Sequence, residues 1–301
     1  MHDILALFRG AEGLGGPTAR ACLERLAPTL TVGGAAAAPG VEGAISSADR
    51  AAREALAKEG FTGLPDLAAD AMCPRLVDAI DRLMAAGLPA LFVYLFDEPW
   101  TLGERIRARV SAMLGQPYAL VEDVWAWRIA PGKAGWPPHR GVAEPLLARD
   151  APQLISAWVA LTDVEADRAC MHFVPLDDDP SYPGVLGAVD VLPSAVRAAP
   201  LQAGSALAWN ANVLHWGGPC AARAKGPRMS CSFSLARADA LADLGFPSAE
   251  AAAVDLRARL DAVARQVAVY GKGQPDVNAA VLEWAHAAVV MKAKIASLGG
   301  M

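Results

Sequence analysis

The sequence predicts a mainly β core, a sandwich or barrel, wrapped by helices at both ends. Two patterns carry this expectation. In the middle of the chain, short apolar or alternating runs sit between Pro, Gly and Asp turns, at 124–129, 155–161, 171–174, 205–209 and 229–235. Several short strands at such spacing are the mark of a sandwich or barrel. Helical periodicity fills the stretches on either side. Seven of the eight tryptophans lie between Trp100 and Trp216, so these rings are expected to line or plug the core.

The elements follow in order. Residues 1–44 read as a helical lead-in and linker, with an Ala/Gly/Pro-rich connector from Val32 to Gly43. Residues 45–301 read as a single domain, with its β core at about 118–240 and C-terminal helices at about 247–298. Its first helix is expected over 47–60, with Ser47 as N-cap and Gly60 as the stop. A second covers 74–86, and a third covers 102–114 and ends at Gly115. From Ala249 the pattern is helical again.

Composition narrows the function. With 301 residues, 54% hydrophobic and 20% charged, the chain can bury a core, which excludes global disorder. A net charge of −5 without a basic cluster argues against a nucleic-acid polymer as partner. Cys22, Cys73, Cys170, Cys220 and Cys231 are odd in number and lack CxxC spacing, so they read as reduced packing thiols. The opening Met-His-Asp-Ile has no basic stretch, and the longest apolar run, 88–96, contains Pro89 and is half a membrane span. A cytoplasmic protein with no membrane partner is the expectation.

The histidines carry the chemistry. Of five, His2 is terminal and His286 sits in an Ala-rich helical run, as a packed or surface residue; His139, His172 and His215 lie in the β region. His139 follows Gly135-Trp-Pro-Pro, and His215 closes a run that begins at Trp209. Arg228 comes thirteen residues after His215 and opens an alternating strand. Imidazole suits iron(II), and two on adjacent strands can hold one face of the ion. A planar guanidinium binds a carboxylate through two bonds, and Ser230, two residues on, points to the same side of the strand.

Four segments, 135–140, 156–163, 170–175 and 209–218, together with Arg228-Met-Ser230, resemble bacterial members of the phytanoyl-CoA dioxygenase family. The resemblance implies a double-stranded β-helix (jelly-roll, cupin-like) fold and an oxidoreductase using Fe(II), 2-oxoglutarate and O2. His139 and His215 would be the metal ligands, and Arg228, Ser230 and Trp158 would bind the cosubstrate. Arg140, His172, Trp209 and Asn210 are substrate-side candidates.

The family motif is His-x-Asp, whereas this chain reads His139-Arg140-Gly141. Glycine supplies no ligand and removes a negative charge. The departure resembles the halogenases of the class, in which chloride takes the vacant position. Gly141 is therefore the residue expected to decide the reaction, as chlorination of an unactivated aliphatic carbon by hydrogen abstraction and chlorine rebound. The alternatives are a hydroxylase that has lost its aspartate and a non-catalytic binder on the same fold. Glu144 is a remote substitute carboxylate, Asp163 and Asp167 look like turn residues, and 177–179 reads as a solvated acidic loop. Lys133, Arg140, Arg149, Arg168, Arg223 and Lys225 flank the histidines. They would suit an anionic small molecule, such as a deoxyadenosine monophosphate, if they are not ordinary surface cations. Docking to a carrier protein stays open.

Overall fold

The computed structural model describes residues 5, 17–34, 46–64, 67, 70–142, 149–184 and 192–299. His2, Glu144 and most of the Ala/Gly/Pro-rich connector lie outside the described residues.

Two antiparallel sheets form the core, as the jelly-roll expectation requires. The larger has five strands in the order β1 (Phe61–Leu64), β6 (Ala206–Asn210), β3 (Leu154–Ala160), β8 (Arg228–Arg237) and β2 (Tyr118–Ile129). The smaller has three: β5 (Arg197–Ala199), β4 (Met171–Phe173) and β7 (His215–Gly217). The edge strands β1 and β5 and the three-residue β7 escaped the sequence pattern. Each is too short to display an alternation. β2 starts six residues earlier than its apolar run, because a register shift between Val121 and Val124 interrupts the alternation there.

Helices cover the larger sheet. α1 (Pro17–Leu26) precedes α2 (Ser47–Glu59), whose N-cap is Ser46 and not Ser47. The Ser46 hydroxyl accepts from Asp49 N–H, and the Asp49 carboxylate returns the bond to Ser46 N–H. Gly60 ends α2 at φ +84°, a left-handed cap that a side chain would strain. α3 (Cys73–Ala85) lies near its expected position. α4 (Asp97–Leu114) begins five residues before the expected start. Asp97 and Glu98 favour that earlier start by placing negative charge in the first turn. Asp97 takes Arg259 from α7 (Leu256–Tyr270) and the N–H groups of Gly33 and Gly34, which ties the connector's beginning to the helical layer. The apolar run 88–96 becomes a buried 3-10 segment, Ala90–Leu95, against the large sheet. There the Tyr94 hydroxyl donates to the Ser232 carbonyl at 2.7 Å. Two short helices, α5 (Leu241–Leu244) and α6 (Glu250–Val254), precede α7, and α8 (Ala279–Gly299) closes the chain. No helix among the described residues is long and apolar enough to cross a membrane.

Candidate active site

A cavity of about 260 Å³ opens between the two sheets and α7. β7 supplies His215, and the segment 136–141 supplies His139 by pairing along β7 and the residues before it. His139 N–H donates to the His215 carbonyl and His215 N–H to the His139 carbonyl, both at 3.0 Å. Gly141 N–H reaches the Ala211 carbonyl at 2.7 Å, and Gly217 N–H reaches the Trp136 carbonyl at 3.2 Å. This ladder sets the two imidazoles side by side, with ring centroids 4.2 Å apart.

Both rings are held in one tautomer. His139 Nδ1 lies 2.9 Å from the Pro137 carbonyl, and His215 Nδ1 lies 2.8 Å from the Val213 carbonyl. A carbonyl only accepts, so each Nδ1 carries the proton and each Nε2 keeps its lone pair. Burial lowers the pKa of both rings, and that of His215 falls to about 3 through burial and the neighbouring His139. Two neutral imidazoles with free Nε2 atoms are the protonation state a divalent metal requires. His215 is further fixed by Trp209, with centroids 4.9 Å apart, and by the stacked Phe173 at 6.2 Å.

No group of three or more His, Cys, Asp or Glu residues gathers in metal-binding geometry among the described residues. Gly141 lines the cavity. A Cβ there would lie 3.2 Å from the Ala211 carbonyl oxygen, tight but with no other atom closer than 3.5 Å. Asp163 accepts from Ala203 N–H in a turn, and Asp167 pairs with Arg223. Neither lines the cavity.

Arg228 is buried in the cavity wall. Its Nε donates to the Ala169 carbonyl at 3.2 Å and its Nη1 to the Ser230 hydroxyl at 2.7 Å. Strand alternation brings these two side chains together. The guanidinium lies over the Trp158 ring, 5.2 Å from its centroid. It has no carboxylate partner among the described residues, and burial lowers its pKa to about 10, so it stays charged at neutral pH. A buried cation in that condition calls for an anionic ligand.

The substrate-side candidates divide. Trp209 lines the cavity. His172 points to the other side of β4, stacks on Trp216 at 5.4 Å and bonds the Cys170 carbonyl through Nδ1. Asn210 is buried, with its side-chain oxygen accepting from Asn212 N–H, and does not line the cavity. Arg140 borders the cavity, but its guanidinium is clamped by Asp179 at 2.7 and 3.1 Å, by the Asn212 carbonyl and by Ser181. Asp179 is thereby a buried ion-pair partner, which corrects the reading of 177–179 as a solvated loop. Arg149 and Arg197 pair with Asp177 and Asp178 at the surface.

Sequence reasoning missed Asp123. This carboxylate lines the cavity with Gln266 and Tyr270 from α7, and its Oδ2 accepts from the Ser234 hydroxyl at 2.7 Å. The one available signal was an acid interrupting an otherwise apolar strand pattern.

A double-sheet core that sets two neutral imidazoles beside a buried guanidinium makes a candidate metal centre. Residues 88–229 match the model of the family described as Phytanoyl-CoA dioxygenase (PhyH), a segment that contains His139, Gly141, His215 and Arg228. That segment, a little under half of the chain, is similar to the phytanoyl-CoA dioxygenase family. Similar solved structures include the non-heme alpha ketoglutarate dependent epimerase SnoN from nogalamycin biosynthesis, at 20% identity and TM-score 0.46, covering 64% of this chain and 82% of that one. EvdO2 from Micromonospora carbonacea var. aurantiaca is 22% identical with TM-score 0.48, covering 66% and 94%. HygX from Streptomyces hygroscopicus, solved with nickel and 2-oxoglutarate bound, is 16% identical with TM-score 0.47, covering 63% and 86%. No curated protein matches the chain.

Proposed function

We propose that this protein is an Fe(II)/2-oxoglutarate-dependent halogenase that chlorinates an aliphatic carbon of a small molecule. One observation carries the reading. Two neutral imidazoles present free Nε2 atoms beside a glycine, with no third ligand in metal-binding geometry among the described residues.

The residues fit the cofactors. His139 and His215 would hold the iron through Nε2. Arg228 and Ser230 would hold the distal carboxylate of 2-oxoglutarate, with Trp158 shielding the guanidinium from water. Gly141 leaves room for chloride, and an anion there replaces the charge an aspartate would have brought. When bound, iron with 2-oxoglutarate and O2 supplies oxidative hydrogen removal from an unactivated carbon, and chloride supplies the halogen. The protein's part is to hold that carbon in place and keep water out.

The nucleotide expectation loses its basis. Of the cations around the histidines, only Arg140 borders the cavity, and it is committed to Asp179. Arg149 and Arg223 are paired with acids, and Arg168 donates to the Pro227 carbonyl.

Anaerobic titration with Fe(II) and 2-oxoglutarate, followed by visible spectroscopy with and without chloride, tests the proposal. A weak charge-transfer band that moves on adding chloride is expected. A band indifferent to chloride would point to a hydroxylase that lost its aspartate, and absence of any band would remove the metal reading altogether.

A further inference from the structure

We infer that the substrate carries a protonated amine, and that Asp123 with the aromatic rings beside it forms the site that recognises it. The inference rests on the reading above in one respect: Arg228 is taken up by the cosubstrate.

Asp123 stands at the bulge of β2, where the pairing with β8 slips. Its Oδ2 accepts from Ser234, and its Oδ1 has no hydrogen-bond partner among the described residues. The groups facing it are neutral: Ser234 from β8, Tyr94 from the 3-10 segment, and Gln266 and Tyr270 from α7. Arg265, one residue from Gln266, is paired with Glu122, next to Asp123 in the chain. Burial raises the Asp123 pKa with no cation to offset it. A carboxylate in that setting is stabilised by a positively charged ligand.

The surrounding rings suit the same ligand. Trp125, two residues along β2, meets Tyr270 at an interplanar angle of 89°, with centroids 6.5 Å apart. Trp127 lies 5.9 Å from Trp125, and Trp136 lies 5.3 Å from Trp127. All four rings line the cavity. Perpendicular aromatic faces beside a carboxylate attract an ammonium group by cation–π and charge together. Tyr270 is 45% exposed, so this corner stands at the cavity mouth.

The two charges of the cavity are well separated. Arg228 and Ser234 are six residues apart on β8, roughly 20 Å at strand rise. The histidines lie between the two ends, since the Arg228 guanidinium adjoins Gly217, two residues on from His215. Ser234 pairs with Ser156, Ser156 with Trp209, and Trp209 packs on His215. An amine held at Asp123 therefore directs a short aliphatic chain toward the two Nε2 atoms, and the cosubstrate carboxylate stays at the far end. A phosphate in the amine's place would face an unpaired carboxylate.

Fluorescence titration of the protein in saturating 2-oxoglutarate, so that Arg228 is occupied, with n-butylammonium, as its sulfate salt, and with n-butyl phosphate tests this. Butylammonium should quench tryptophan emission saturably, and butyl phosphate should not bind. Asp123→Asn should weaken butylammonium by at least about tenfold. Tyr270→Ala, which removes a half-exposed ring, should weaken it by about threefold. In both variants the Fe(II)/2-oxoglutarate band should persist unchanged. Butyl phosphate binding as well as butylammonium, or equal butylammonium affinity in wild type and both variants, would overturn the inference. Should butylammonium bind as expected while no Fe(II)/2-oxoglutarate band forms, the metal reading fails and the amine site stands.

Discussion

His139 and His215 exchange two backbone hydrogen bonds at 3.0 Å, and each donates its Nδ1–H to a carbonyl two residues upstream in its own chain segment. One short ladder thus fixes the position and the tautomer of both rings. The bonding is between backbone atoms, so it survives loss of either imidazole. His139→Ala and His215→Ala should each keep the fold. Each should lower Fe(II) affinity by at least about a hundredfold, beyond the range reported for loss of a supporting partner. Isothermal titration with Fe(II) under nitrogen, alongside circular dichroism, checks this. Unchanged affinity in either variant would mean the metal binds elsewhere.

Gly141 gives the second prediction. A Cβ there would press on the Ala211 carbonyl oxygen at 3.2 Å, so a side chain fits with a shift of a few tenths of an ångström. Gly141→Asp should fold, bind Fe(II) more tightly, and make the charge-transfer band insensitive to chloride. Gly141→Ala should fold equally well and keep the chloride response. A chloride response retained by Gly141→Asp would show that chloride does not sit at this position.

The sequence made parts of this arrangement legible and hid others for physical reasons. His139, His215, Arg228 and Ser230 were readable because segment order and strand alternation suffice to bring them together. The strand β7 was hidden, since its three residues, His-Trp-Gly, form no apolar run. The directions of the Arg140 and His172 side chains were hidden because chain proximity to a histidine says nothing about side-chain direction. Arg140 turns to Asp179, and His172 points to the opposite side of β4. Asp123 was invisible because its neighbours Gln266 and Tyr270 come from a helix more than 140 residues away in the chain.

Arg228 supports a third prediction. Its Nη1 and Nε are already used, by Ser230 and Ala169, while the planar fork keeps a further N–H face for a carboxylate. Lysine keeps the charge and loses the fork. Arg228→Lys should weaken 2-oxoglutarate by about ten- to hundredfold, with Fe(II) affinity unchanged. Titration of 2-oxoglutarate into the Fe(II) protein, read at the charge-transfer band, decides it. An unaltered midpoint would assign the carboxylate to another cation.

The Arg140–Asp179 pair is fully enclosed, with side chains 3% and 0% exposed. Burial alone would raise the Asp179 carboxyl, but bonds from Arg140 and Ser181 outweigh it and hold the pKa below the usual range. Its contribution to stability is therefore complete above the ordinary aspartate range and is lost as pH falls through the lowered value. Asp179→Ala should destabilise the protein by about 3–5 kcal/mol at pH 7, because it strands a buried guanidinium. The double variant Arg140→Met with Asp179→Leu should recover most of that loss. Urea unfolding of the single and double variants measures it. Equal destabilisation in both would show that the bonds from Arg140 to Asn212 and Ser181 matter more than the charge pair.

Asp123 should behave in the opposite sense. Burial raises its pKa, with only the Ser234 hydroxyl working to lower it. Between the ordinary aspartate value and the raised one, the folded protein holds a proton that the unfolded chain has released. Stability therefore falls as pH rises through that window, and the deficit persists above it. Asp123→Asn abolishes the ionisation and leaves the volume nearly unchanged. The variant should melt at a higher temperature than the wild type at pH 8, by about 2–4 °C for each kcal/mol relieved, with the gain vanishing near pH 3. Adding n-butylammonium at pH 8 should raise the wild-type melting temperature and leave Asp123→Asn almost unmoved, since only the carboxylate provides a charge for the ligand to neutralise. Calorimetric scans at the two pH values separate this from a packing effect, which would raise the melting temperature equally at both.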